Sequence, residues 1–234
     1  MPDEPIWEDL LSSASRLQKI LPDAVMVGGT AAAMHARHRI SFDADHVIPD
    51  LRERFDFVLE KLESIAGWET ARITKPVLIL GRLDNIDTGI RQLIRQEPLE
   101  TEIMQTEKGQ TITVPTMEEI LRIKGILILR RNAARDYLDF SALAEGLGET
   151  RVCKAMSRFD ELYPQKTGES ALMQLQIQLA CPLPYDLENI DLSNFKHLHA
   201  SWHDWETVKA VCVKTSQILA SELERPAMDA SKDI

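Results

Sequence analysis

Cysteine is scarce in this chain. Cys153, Cys181 and Cys212 are odd in number and widely spaced. That excludes a disulfide framework and a CxxC zinc site, and it points to a reducing, cytoplasmic setting. Long apolar runs are missing too: stretches such as Val77–Leu80 fall far short of the roughly 20 residues a membrane span needs, so no membrane partner is expected. The start carries Asp3, Glu4, Glu8 and Asp9 before its first basic side chain, a pattern unlike a secretory or mitochondrial leader. Basic charge is in deficit, with 27 Lys and Arg against 37 Asp and Glu, net −10. Nucleic-acid binding driven by overall charge is therefore not expected, although a local basic groove stays open. There is no repeat, no low-complexity tract, no Ser/His/Asp triad motif, no Walker loop and no dinucleotide fingerprint.

What is present suits a globular chain of one large or two small domains. Hydrophobic residues make up 44% of the 234 and charged residues 27%. Trp7, Leu10, Leu11, Leu17 and Ile20 predict a helix from about Pro5 to Ile20, ended by Pro22. Ala24–Val27 reads as a buried strand closed by Gly28-Gly29, with an alanine-rich helix over Thr30–Ala36. Alternation predicts a strand over Ile40–Ile48, and an apolar stripe from Leu51 to Ile65 predicts a helix over Pro49–Ala66. Further strands are expected at Glu69–Ile73, Val77–Arg82, Ile86–Ile94 and Thr111–Val114, with Leu83-Asp84-Asn85 as a turn.

After Pro115 the pattern turns helical. Thr116 and Glu119 form a capping-box pair ahead of one helix. Others fit Arg135–Leu147, Val152–Leu162, Ser170–Leu179 and Trp205–Leu223, with a frayed tail from Pro226. The expected fold class is α+β, with an α/β-type N-terminal half. A mixed sheet with flanking helices (residues 1–115) is followed by a helical domain (116–234).

The densest chemistry lies in Val27-Gly28-Gly29-Thr30 and Arg39-Ile40-Ser41-Phe42-Asp43-Ala44-Asp45. Paired glycines where a strand meets a helix let a phosphate approach backbone N–H groups and the positive helix end, and Thr30 adds a hydroxyl. Asp43 and Asp45, two apart, share one face of a strand. Two carboxylates side by side repel, and Mg²⁺, a hard cation held by carboxylates and substrate phosphates, relieves that repulsion. A phosphate cradle ahead of a paired metal ligand suits metal-assisted nucleotidyl transfer. Taken alone, each part has a plainer reading: Gly-Gly as a turn, Asp-x-Asp as a solvated strand edge.

Gly28-Gly29-Thr30 followed by Arg39-x-Ser41-x-Asp43-x-Asp45 resembles the signature of the nucleotidyltransferase superfamily. More narrowly it is similar to the AbiEii/AbiGii toxin family, whose core resembles DNA polymerase β and which carries a helical C-terminal region. A second block fits that family's later motifs: Lys124, then Arg135-Asp136-x-x-Asp139. The resemblance spans roughly Val25 to Leu143. It implies an NTP substrate, with Gly28, Gly29, Thr30, Arg39 and Ser41 at the nucleotide and Asp43 and Asp45 on Mg²⁺ (or Mn²⁺). It also implies Lys124 at phosphate or base, Asp136 as the acid of the later helix, and a third carboxylate, best placed at Asp87. The acceptor would be tRNA or a protein, and a cognate antitoxin would be a partner.

Several of these residues have structural alternatives. Asp87 also suits a hairpin-edge acid. Lys124 falls on the apolar side of its helix, where an unpaired ammonium is costly, so it must reach an acid or a cleft. Arg135 and Asp139, four apart, suit a helix ion pair, which leaves Asp136 as the functional acid. His35, His38 and His46 flank the aspartates without the spacing of a helical zinc pair. Arg91, Arg95, Arg122, Lys124, Arg130, Arg131 and Arg135 are the candidate local basic groove, with the pairs Arg91/Arg95 and Arg130/Arg131 first. The function read from the sequence is a Mg²⁺-dependent nucleotidyltransferase. The alternatives are a catalytically silent nucleotide- or partner-binding module of the same fold, or a sugar transferase using Asp43-x-Asp45.

Overall fold

The computed structural model describes residues 4–195 and 197–229. Its elements, in order, are α1 (Glu4–Ile20), β1 (Val25–Met26), α2 (Gly28–Ala36), β2 (Ala44–Ile48), α3 (Leu51–Glu63), β3 (Trp68–Thr74), β4 (Leu78–Leu83), β5 (Ile86–Gln92), β6 (Thr101–Gln105) and β7 (Thr111–Pro115). Helices α4 (Met117–Arg131), α5 (Ala134–Leu147), α6 (Glu149–Met156), α7 (Phe159–Leu162), α8 (Ala171–Ala180) and α9 (Trp205–Asp229) follow. The chain divides into two compact units: Met1–Met34 with Ile40–Thr116, and His35–Arg39 with Met117–Ile234. The short segment 35–39, which a reading along the chain places in the first half, belongs to the second unit.

The first unit is built on a five-stranded mixed sheet of order β1-β2-β5-β4-β3, with β6 and β7 as a separate pair. Only β2 and β5 run parallel; the other neighbours are antiparallel. Asp84 and Asn85 both have positive φ, 54° and 65°, which gives the tight two-residue hairpin between β4 and β5. The stripe of α3 that periodicity predicts packs as expected: Leu51, Phe55, Val58 and Leu62 join Ile48, Ile79 and Ile90 of the sheet in one core cluster. A second cluster sets Leu10, Leu11 and Ala14 of α1 against Met26, Ala44, Ile112 and Val114. The Gln18 side-chain amide donates to the Thr113 carbonyl at 2.8 Å and accepts its N–H at 2.7 Å, so α1 satisfies β7 as a strand would.

The second unit is helical. Tyr137, Phe140 and Phe159 are its largest fully buried rings, and Tyr137 meets Trp205 edge-on at 6.0 Å. A Cβ on Gly125 would lie 2.8 Å from Leu175 Cδ2, so the crossing of α4 and α8 is close here.

Several sequence expectations shift. The strand expected from Ile40 begins at Ala44, so Asp43 stands just ahead of β2 rather than on it. Helix α2 opens on Gly28 rather than Thr30. Strand β6 carries no alternation strong enough to announce it: four of its five residues are exposed and it is held by β7 alone. The helix expected over Val152–Leu162 is two, α6 and α7. Helix α9 runs on through Pro226 to Asp229, and residues 230–234 of the expected tail lie outside the described residues.

Candidate functional site

Helix α2 starts where β1 ends, and Gly28 makes the corner with φ +78°, a backbone region L side chains rarely adopt. The Val27 N–H donates to the Asp45 carbonyl at 2.8 Å, which draws the corner against β2. A Cβ on Gly28 would sit 3.6 Å from Asp45 Oδ2. The carboxylate of Asp45 thus lies at the N-terminal end of α2, where the helix dipole favours negative charge. Thr30 is fully buried, and its hydroxyl donates to the Asp43 carbonyl at 2.6 Å. The sequence assigns that hydroxyl to a triphosphate; in the fold it ties the first turn of α2 to the backbone of Asp43. Gly29 is in the same first turn, partly exposed, and Ser41 is buried. Asp43 itself is exposed and Asp45 about one third exposed.

Two residues that motif reading left aside complete this corner. Parallel pairing of β2 with β5 puts Gly89 beside Asp45. A Cβ at Gly89 would overlap Asp45 Oδ1, so glycine is what makes room for the carboxylate. Arg91, two residues on, brings Nε to 3.6 Å from the same oxygen. Arg91 entered the sequence reading only as groove charge. The signal that would have found its role is register: residues two apart on neighbouring strands share a face.

Asp87 is not gathered with the other two acids. It sits opposite Arg82 across the β4–β5 hairpin and accepts from its Nε at 2.8 Å, with both side chains largely exposed. Among the described residues no three His, Cys, Asp or Glu side chains cluster closely enough to hold a metal ion. Arg95 is also committed locally, donating to the carbonyls of Glu97 and Pro98.

The later motif residues form a polar centre inside the second unit. Lys124, on α4, is buried, and its ammonium lies 3.1 Å from Asp136 Oδ1 and 2.7 Å from Asp139 Oδ2. Arg39 donates from Nε to Asp139 Oδ1 at 2.8 Å and from its second terminal nitrogen to Oδ2 at 3.0 Å. His38 Nε2 completes the set at 2.7 Å from Asp139 Oδ1. The Asp139 carboxylate therefore takes four contacts from three basic side chains. Burial by itself would raise its pKa, but Arg39, Lys124 and the His38 hydrogen bond hold it well below the usual carboxylate range. The expected Arg135–Asp139 helix pair does not form: Arg135 is exposed, whereas Asp139 is wholly buried. Asp136 is equally buried, and its Oδ2 has no hydrogen-bond partner. Arg39, expected at the nucleotide or at Asp43 and Asp45, pairs with Asp139 and lies over the Phe195 ring at 5.8 Å. Arg122, a candidate for the basic groove, is buried, donating to Glu119 at 2.7 Å and to the Ala155 carbonyl at 3.1 Å. His46 is buried on β2; burial drives its pKa down to about 4, against a weaker upward pull from the Ala44 carbonyl.

No family model matches the chain. Two solved structures share its fold from end to end. JHP933 from Helicobacter pylori superposes with a TM-score of 0.58 at 16% identity, over 96% of this chain and 95% of that one. A second H. pylori structure, of a protein assigned provisionally as a nucleotidyltransferase, gives the same TM-score and identity over 95% and 97%. Among curated proteins the chain is similar to the heme uptake protein MmpL11 of Mycobacterium tuberculosis, 26% identical over 235 aligned positions, 91% of this chain and 23% of that protein. It is also similar to the mycolic acid-containing lipids exporter MmpL11 of Mycolicibacterium smegmatis, 27% identical over 138 positions, 58% of this chain and 14% of that protein. The chain thus spans less than a quarter of the length of these curated relatives. Among the described residues no helix is long and apolar enough to cross a membrane. The end-to-end superposition and the mixed sheet flanked by helices establish an α+β fold shared with these structures.

Proposed function

We propose that this chain is a Mg²⁺- or Mn²⁺-dependent nucleotidyltransferase of the AbiEii/AbiGii type. It would act in the cytoplasm as the toxin of a toxin–antitoxin or abortive-infection system, with tRNA or a protein as acceptor. The observation that carries the reading is the joint anchoring of the Gly28 corner and the two acids. Val27 N–H holds Asp45, Thr30 Oγ1 holds Asp43, and Gly89 leaves the space Asp45 fills. That preorganises a helix N-terminus for the phosphates next to two hard oxygen donors.

The donor set fits a divalent ion: both carboxylates are solvent-reachable, and substrate phosphates supply the remaining oxygens. Bound there, the ion would polarise the phosphoryl oxygens and neutralise charge on the leaving pyrophosphate. The chain's own groups bind and orient. The first N–H groups of α2 face the phosphates. Asp43 and Asp45 would hold the ion, and Arg91 Nε stands 3.6 Å from Asp45 Oδ1 to balance its charge. Lys124 and Asp136 are carried as phosphate or base contact and as functional acid on the resemblance alone.

The Asp87–Arg82 pair favours a second reading, a catalytically silent nucleotide- or partner-binding module, because the third carboxylate is engaged elsewhere. Calorimetric titration of each NTP, with and without Mg²⁺, into wild type and Asp45→Ala tests the first reading. Metal-dependent binding lost in the variant supports it. Absence of binding to any NTP overturns it. Labelled NTP then separates transfer from binding alone.

A further inference from the structure

We propose that the outer face of α8 is an interface with a second copy of this chain, the two helices lying antiparallel across a two-fold axis. Helix α8, Ala-Leu-Met-Gln-Leu-Gln-Ile-Gln-Leu-Ala, has no charged residue in its ten positions. Its inner face is buried through Leu172, Leu175 and Leu179. Its outer face is apolar as well: Met173 and Ile177, one turn apart, are 54% and 66% exposed. A helix on a free surface carries charge outward, whereas the outer side of α8 offers only glutamines between two exposed apolar side chains. The exposed apolar surface continues past the helix into Leu183 and Tyr185, 67% and 73% exposed.

The two ends of this face differ in charge. At the C-terminal end, Gln178 Nε2 donates to Asn132 Oδ1 at 2.8 Å, and Asn132 in turn holds the 183–185 segment through the Leu183 carbonyl and the Tyr185 N–H. That binds the α4–α5 corner, with Arg130, Arg131 and Arg135, to the end of α8. All three arginines are exposed, and among the described residues they make no ion pair or hydrogen bond. Nearby Asp186 caps the Ala134 N–H, which leaves Glu188 as the exposed acid of that segment. At the N-terminal end Asp160 is spent on Ser170 Oγ and the Leu172 N–H, Arg158 is paired with Glu161, and exposed Glu169 stands as the acid beside Lys166.

A two-fold axis across α8 sets apolar stripe on apolar stripe and brings the arginines of one copy to the acids of the other. Parallel packing would set the arginine clusters against each other. An isologous, self-complementary patch of this kind is what a homodimer requires. RNA is the weaker occupant, because the aliphatic stripe offers nothing to phosphates and the net charge of −10 repels a polyanion.

Sedimentation equilibrium of the full chain over about 1–100 µM tests this, that being a range suited to a patch smaller than a standard interface. The expected result is a mass rising from 26.5 kDa toward twice that value. Ile177→Glu should keep the helical spectrum and weaken association at least tenfold. Arg130→Glu/Arg131→Glu should also weaken it, and adding Glu169→Arg to that pair should restore it. A monomeric wild type throughout, a dimer indifferent to Ile177→Glu, or a charge-swap without rescue overturns the proposal. So does a monomer that binds oligo(U) through Arg130 and Arg131.

Discussion

Asp139→Asn tests whether the buried centre of the second unit is built as described. The substitution keeps the shape of the side chain but removes its charge and turns one oxygen into an NH₂ donor. If the amide oxygen stays toward His38 and Arg39 Nε, the new NH₂ faces the second Arg39 nitrogen and the Lys124 ammonium, donors that now meet a donor. A flip of the amide moves the clash to the other side. Two cations in a site with 0–8% exposure then lose the carboxylate charge they share. Removing one partner of a buried, hydrogen-bonded ion pair costs about 3–5 kcal/mol. In a chain of this size that lowers the melting temperature by on the order of 10 °C. Arg135→Ala is the matched control. Helix periodicity pairs Arg135 with Asp139, but the fold leaves Arg135 exposed, so its loss should cost under about 0.5 kcal/mol. The pH dependence gives a second readout. The folded pKa of Asp139 is depressed, so its stabilisation is present above the ordinary carboxylate range and is lost as pH falls below it. The variant should lack that part of the acid-induced loss. Thermal unfolding at pH 7 and along an acid series measures both. An Asp139→Asn protein within 1 kcal/mol of wild type, or an Arg135→Ala protein equally destabilised, would refute the assignment.

Gly89→Ala should leave the fold intact yet reduce Mg²⁺-dependent NTP affinity at least tenfold by calorimetry, because the added methyl takes the place of Asp45 Oδ1. Asp87→Asn should keep that affinity within about threefold, since its carboxylate is spent on Arg82; a loss like that of Asp45→Ala would return Asp87 to the site. Burial lowers the pKa of His46 from 6.5 to about 4, so the unfolded chain binds the extra proton between those values and stability falls as pH drops from 6.5 toward 4. Its share is roughly 3 kcal/mol, and His46→Met should flatten that slope in urea unfolding at pH 4–6.5; an unchanged slope would count against it.

Local signals are strong where one face of an element alone meets the core. The stripe of α3 and the positive-φ turn at Asp84-Asn85 could be read directly, because periodicity and turn chemistry are properties of neighbouring residues. So could the glycine corner that opens α2. Strand β6 could not, since its residues are mostly exposed and their pairing with β7 is the whole of their structure. The partner of each charge also lay beyond local reading. Arg39 and Asp139 are 100 residues apart, and nothing in helix spacing chooses Arg39 and Lys124 over Arg135. Burial makes that choice: a carboxylate with no access to water must collect every donor around it, whereas an exposed arginine is content with solvent. Likewise the space for Asp45 is supplied by a glycine on another strand, through a register set only when β2 and β5 align. By itself the sequence determined most of the elements, the class of fold and the candidate phosphate corner. The tertiary structure decided which charges pair, which acid is drawn away from the site, and where the carboxylate fits, because those depend on long-range proximity and exclusion of water.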